Sequence, residues 1–131
     1  MKRVLIADDE PIERMIVTRT IQKYFPEELA VVSAVNGREA VEQFFAGDCQ
    51  IALLDIEMPG MNGLEAAEQI RERDKNCSII FLTAFDEFNY AKRAIAVRAM
   101  EYLLKPVEDQ ELEAVLAEAI RIADEHTDDR E

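Results

Sequence analysis

Five short apolar runs alternate with stretches of helical period along the 131 residues. The runs are Val4–Ala7, Ala30–Val35, Ile51–Leu54, Ser78–Leu82 and Glu101–Leu104. Several are nearly continuous in Val, Ile and Leu, the pattern of strands covered on both faces, as in parallel sheets. Between them the period changes to about 3.6. Pro11 opens the first helix, where its missing N–H costs nothing, and Ile12, Met15 and Ile16 follow as an apolar stripe. Asn36-Gly37 turns the chain into a second helix, expected to direct Ala40, Val41, Phe44 and Phe45 inward and to be capped by Gly47. A third helix is predicted from about Asn62 to Arg73, and a fourth from about Asp86 to Arg98 with Phe88, Ala91 and Ile95 on one face. The fifth starts near Asp109, a candidate N-cap, and should bury Leu112, Val115, Leu116, Ala119 and Ala123. The stretch Asp124–Glu131 is almost wholly polar and is expected to fray or to continue as a linker.

This (βα)5 pattern implies an α/β fold: a doubly wound, five-stranded parallel sheet with helices on both faces. Five such units most often take strand order 2-1-3-4-5, and ligands then bind outside the carboxyl ends of the strands, where the winding reverses between strands 1 and 3. The residues at those ends carry the chemistry. Strand 1 ends in Asp8 and Asp9, strand 3 in Asp55, strand 4 in Thr83 and strand 5 in Lys105. Two like charges at about 4 Å and an effective dielectric near 20 repel by roughly 4 kcal/mol. Acids gathered at one sheet edge therefore need either water or a cation between them. Their hard oxygens suit Mg²⁺, which keeps room for phosphate oxygens. A cation of that kind and Lys105 could offset charge from two sides during phosphoryl transfer, a reaction that needs mainly positioning and electrostatics. Asp55, alone on the central strand, is the candidate nucleophile, and a carboxylate nucleophile gives an acyl phosphate.

Composition narrows the alternatives. Fifteen Lys and Arg against 28 Asp and Glu leave a net charge of −13. A chain so acidic would repel a nucleic-acid backbone, so direct nucleic-acid contact is not expected of it. No stretch approaches the ~18 uninterrupted apolar residues of a membrane span, and Asp8 cuts short the only apolar run near the N-terminus, which points to the cytoplasm. Cys49 and Cys77 lack metal-ligand spacing and read as reduced thiols. His126, the one histidine, lies in the polar stretch and reads as solvated, which leaves no Ser-His or Cys-His mechanism.

Taken together, Asp8-Asp9 after strand 1, the Asp55…Met58-Pro59…Gly63 segment, Thr83-Ala84 and Lys105-Pro106 resemble the receiver domain of two-component response regulators. The resemblance runs from about residue 2 to residue 123, leaving 124–131 as a tail or the start of a linker. It implies the flavodoxin-like receiver fold and a signalling role rather than an enzyme's. Asp55 would accept a phosphoryl group from the phosphohistidine of a sensor histidine kinase. Asp8, Asp9, Asp55 and the main-chain carbonyl of Glu57 would hold Mg²⁺, and Thr83 and Lys105 would contact the phosphate. Lys105-Pro106 would be a cis peptide, a form cheap only before proline. Thr83 and Tyr102 would act as the switch, remodelling the face made by helix 4, strand 5 and helix 5. That face would control a transcriptional C-terminal output domain and would allow pairing of two phosphorylated copies. The stretch TAFDEFNYAKRAIAV…EYLLKP resembles receivers joined to arabinose-regulator-type helix-turn-helix domains. Two residues depart from the commonest pattern: Glu57 adds a fourth acid near the metal, and Phe85 puts a bulky ring near the site.

Three other readings compete. Asp55-Ile-Glu57 weakly echoes the Asp-x-Asp start of haloacid-dehalogenase-type phosphatases, but that pair follows the first strand there, and the later acidic motif and cap domain are missing. A flavodoxin-like flavin site needs hydroxyls and backbone N–H groups after strand 1, where this chain has Asp8, Asp9 and Glu10. A degenerate receiver serving only as an interaction module would lack part of the acid set, and none is missing.

Overall fold

Each expected element is found in the computed structural model, which describes the backbone of residues 1–130 and the side chains through residue 126. In chain order these are β1 (Lys2–Ala7), α1 (Pro11–Tyr24), β2 (Leu29–Ala34), α2 (Gly37–Ala46), β3 (Ile51–Leu54), α3 (Gly63–Arg73), β4 (Ser78–Thr83), α4 (Phe88–Ala96), β5 (Glu101–Leu104) and α5 (Asp109–Arg130). The strands are parallel in the order β2-β1-β3-β4-β5. In this register Ala7 lies beside Leu54 and Leu54 beside Phe81, so the central strands end level with one another.

Alternation along the strands divides the core into two layers. Leu5, Ala7, Leu54 and Phe81 face α2, α3 and α4 with Phe44, Leu64 and Ile70. Val4, Ile6, Leu53 and Ile80 face α1 and α5 with Val17, Ile21, Leu112 and Leu116. All of β3 and β4 is buried, which is why those segments read as unbroken apolar runs. Each buried Leu, Ile or Phe there contributes roughly 1.5–3 kcal/mol relative to exposure. Arg71 of α3 is also buried, and its guanidinium replaces an apolar contact with hydrogen bonds. It donates to the carbonyls of Val97 and Cys77 at 2.8 Å, and more weakly to those of Asp74 and Arg98 at 3.3 Å.

Several expectations need correction. The stripe Ile12, Met15, Ile16 faces solvent, at 64, 46 and 51% exposure, and α1 packs through Val17, Thr20 and Ile21. One residue turns a helix by about 100°, so a face set one position round is enough to reverse the reading. On α4, Phe88 and Ile95 also point outward, and Ala94 is the buried residue. That helix is shorter at both ends than the expected 86–98. Gly47 does cap α2, but in a right-handed conformation, and the left-handed residue is Asp48. At α5 the first free N–H groups, of Glu111 and Leu112, go to the carbonyl of Glu108, while the Asp109 carboxylate accepts from the Thr20 hydroxyl at 3.2 Å and ties α5 to α1. The segment 124–130 is helical rather than frayed, because it continues the last turns of α5. His126 is half-buried on that helix. Glu131 lies outside the described residues.

Candidate functional site

The parallel ladder runs one residue past the ends of β1 and β3. The Asp8 N–H donates to Ala34 and the Asp55 N–H to Ala7, at 3.2 and 2.9 Å, which sets the two aspartates side by side at the sheet edge. Asp8 is fixed further by the Glu10 N–H, which donates to its Oδ1 at 2.9 Å, and by Arg14, which donates to its carbonyl at 2.7 Å. The loop from Asp55 to Asn62 is clamped by two glycines. A Cβ on Gly63 would sit 2.0 Å from the Asp55 carbonyl oxygen, and one on Gly37 would sit 2.2 Å from that of Met61. Close backbone approach, not a special φ, excludes side chains there. Asn62 then starts α3 with a reciprocal capping box to Glu65.

One carboxylate oxygen from each of Asp8, Asp9 and Asp55 lies within 4.8 Å of the others. Asp8 and Asp55 are buried and Asp9 is exposed. The Lys105 ammonium reaches over them from the end of β5. It donates to Asp8 Oδ2 at 2.8 Å and lies 3.7 Å from Asp55 Oδ2 and 3.7 Å from Glu13 Oε2. Its own backbone N–H donates to the Thr83 carbonyl at 2.8 Å, and the Lys105–Pro106 bond is cis. Thr83 is fully buried, and its Oγ1 accepts from the Phe85 N–H at 3.3 Å.

The electrostatics follow from this crowding. Burial drives the Asp55 carboxyl up from 3.8 to about 6; the carboxylates of Asp8 and Asp9 add to the rise, while Lys105 and the Ile56 N–H oppose it. Burial alone would depress the Lys105 ammonium, but the hydrogen bond to Asp8 and the charges of Asp55 and Glu13 outweigh it and leave its pKa raised. One lysine does not neutralise the cluster.

Other expected residues stand further out. Tyr102 is half-buried on β5, its ring 6.3 Å from that of Phe81, and its hydroxyl donates to the Phe85 carbonyl at 2.5 Å. The Phe85 backbone therefore joins Thr83 to Tyr102. The Glu57 carboxylate does not join the acid cluster: it is exposed and accepts a hydrogen bond from the Tyr90 hydroxyl on α4. That bond raises the Tyr90 phenol to about 12.

Residues 4–117 match the family described as the response regulator receiver domain. The chain belongs to that family. Among curated relatives of the receiver, the positive alginate biosynthesis regulatory protein of Pseudomonas aeruginosa is 41% identical over 118 residues, covering 90% of this chain and 47% of that protein. Two solved structures are similar over almost their whole length. Response regulator protein TrrA of Thermotoga maritima, in complex with Mg²⁺ and a beryllium fluoride, is 38% identical with a TM-score of 0.80, covering 91% of this chain and 99% of that one. The receiver domain of AraT from Geobacillus stearothermophilus is 35% identical with a TM-score of 0.84, covering 96 and 98%. The chain covers less than half the length of curated relatives such as the alginate regulatory protein.

A receiver domain of two-component systems is a phosphoacceptor signalling module, and receivers bind Mg²⁺ at an acidic pocket of the kind described above. The haloacid-dehalogenase reading finds no support in these similarities. Among the described residues, no helix is long and apolar enough to cross a membrane. Four neighbours of the receiver site were not legible in the sequence: Glu13 and Arg14 on α1, the Phe85 backbone and Tyr90. Spacing from Asp9 places the first two one helical turn away, but nothing in the chain pairs Glu13 with a lysine at the far end of the domain.

Proposed function

We propose that Asp55 is the phosphoacceptor and that Asp8, Asp9, Asp55 and the main-chain carbonyl of Glu57 hold Mg²⁺. The observation that carries this reading is the convergence of three carboxylate oxygens within 4.8 Å, with the Lys105 ammonium against two of the same groups. Oxygen donors at a half-open edge suit a hard divalent cation that keeps waters and phosphate oxygens in its shell. Bound there, Mg²⁺ would supply charge stabilisation to the equatorial oxygens of a transferring phosphoryl group.

An ionised Asp55 oxygen attacks the phosphorus of a kinase phosphohistidine. The P–N bond breaks with its electron pair staying on the imidazole, which leaves neutral because its other nitrogen carries a proton. Lys105 moves its hydrogen bonds from carboxylate to phosphoryl oxygen, and the Thr83 hydroxyl donates to another. If the Thr83 side chain turns toward the phosphoryl group to donate, its Oγ1 moves relative to the Phe85 N–H that it accepts from, and the Tyr102 hydroxyl bonded to the carbonyl of that same residue feels the change. The face of α4, β5 and α5 then shifts between two packings. It would steer a C-terminal output domain, transcriptional and of the arabinose-regulator type, reached through the helical segment after residue 123, and would allow two phosphorylated copies to pair. The only chemistry of the domain would be its own phosphorylation and dephosphorylation, in the cytoplasm.

Incubation with Mg²⁺ and a small acyl phosphate should add one phosphoryl group by intact mass, and none to Asp55→Asn. Equal labelling of the variant would reject the assignment.

A further inference from the structure

Lys105 is held by more acid than a phosphoryl site requires. Two of its three partners, Asp8 and Asp55, belong to the strand-end cluster. The third, Glu13, comes from the first turn of α1, and its carboxylate lies 3.7 Å from the ammonium. Glu13 is not among the acids whose oxygens gather within reach of one cation. Its side chain is 32% exposed, and it lines a groove between α1 and the start of α5 with Ile16, Val17, Val107 and Leu112. Apolar walls on that side leave the attraction to Lys105 less screened than in open water. The one hydrogen bond of the ammonium goes to Asp8, while Asp55 and Glu13 attract it from 3.7 Å on two sides, so its charge is divided among three carboxylates.

We propose that Glu13 is a positioning residue that competes with the phosphoryl group for Lys105. With Glu13 ionised, the ammonium is shared backward toward α1, and only part of its charge is available over Asp55. An arriving phosphoryl group, with more negative charge on its oxygens, must draw Lys105 out of that grip. Glu13 thereby sets how readily the site takes up phosphoryl groups and how firmly it keeps them. This inference rests on the reading of Asp55 as the phosphoacceptor.

Glu13→Gln keeps size and removes charge. The probe is beryllium fluoride at saturating Mg²⁺, a stable phosphoryl mimic, titrated by calorimetry against the intact domain. The variant should bind the mimic about three- to tenfold more tightly, the range between an exposed and a half-buried ion pair. The gain should shrink as salt is raised. Its affinity for Mg²⁺ without the mimic should not rise. Glu13→Asp, charged but shorter, should fall between wild type and Glu13→Gln. Glu10→Gln removes a charge from the same end of α1 and should match wild type. Mimic affinity in Glu13→Gln equal to or weaker than wild type overturns the proposal. So does an equal gain in Glu10→Gln, which would make the effect one of general charge. Failure of the wild type itself to take up the mimic is a different result: it overturns the phosphoacceptor reading and this inference with it.

Discussion

Replacing Asp55 with asparagine preserves the outline of the side chain and removes its charge, so it isolates what that charge costs the folded domain without a cation. The carboxyl is displaced from 3.8 to about 6, first by burial and then by Asp8 and Asp9, net of the attraction from Lys105. A raised carboxylate pKa means that the folded chain holds the proton more tightly than the unfolded one. Stability from this group is therefore fully present below about pH 4 and is lost as the pH rises through about 6. At about 1.4 kcal/mol per tenfold change in proton affinity, the displacement corresponds to about 3 kcal/mol. Asp55 is only 8% exposed, so solvent screening takes little from that figure. It is a large share of the roughly 5–15 kcal/mol that holds a domain of this kind together.

Urea unfolding followed by circular dichroism, in chelator and near neutral pH, should find Asp55→Asn about 2–3 kcal/mol more stable than wild type. The gap should close as the pH is lowered from about 6 to about 4, where wild-type Asp55 becomes protonated in both states. Millimolar Mg²⁺ should stabilise the wild type more than the variant and narrow the gap from the other side, by mass action on a site that only the folded state offers. A variant no more stable than wild type in chelator at neutral pH would refute the reasoning, as would a gap that ignores pH.

Two further substitutions test the scaffold under the site. Gly63→Ala places a methyl group where the Asp55 carbonyl already stands; it should cost about 3 kcal/mol or more in urea unfolding and lower Mg²⁺ affinity, because backbone on both sides must move. Arg71→Met fills the same volume but strands the carbonyls of Val97 and Cys77. It should destabilise by about 2–4 kcal/mol, with faster amide exchange at the α4–β5 turn, and Arg71→Lys should not restore it, since an ammonium cannot reproduce the planar fork.

The strands and the residues at their ends were legible because a parallel sheet buried on both faces leaves runs of Val, Ile and Leu that only chemistry interrupts. Asp8, Asp55, Thr83 and Lys105 are those interruptions. The helices were legible in number but not in orientation. On α1 the inward arc is Val17, Thr20 and Ile21, interrupted by a polar residue, while Ile12, Met15 and Ile16 form an equally apolar stripe outside; on α4 only Ala94 is buried and the larger Phe88 and Ile95 lie outside, so apolar size alone misassigns the inner face. At the far end, polar composition argued against structure from residue 124 onward. Yet Ala123 is buried and the Asp124 carboxylate lies 3.6 Å from the Lys2 ammonium, so at residues 123 and 124 the helix is still tied to the body of the domain. The grip of Glu13 on Lys105 was out of reach for a different reason: a contact between α1 and the end of β5 is a product of the topology, and no local pattern encodes it.

Charge around Lys105 also argues for an order of events. Asp8, Glu13 and Asp55 surround one ammonium and Asp9 lies beside two of them, so with all four carboxylates ionised the edge of the sheet carries three negative charges in excess. A phosphoryl group approaching that edge would be repelled, and Asp55, displaced toward about 6, would hold its proton more readily than a free carboxylate does. A divalent cation held by Asp8, Asp9 and Asp55 would favour the ionised form of Asp55 and would cut the excess from three negative charges to one. A phosphoryl donor would then meet an Asp55 kept ionised and an edge that repels it far less. On this reading cation binding comes first by electrostatic necessity, and the transfer rate should follow cation occupancy rather than donor concentration alone.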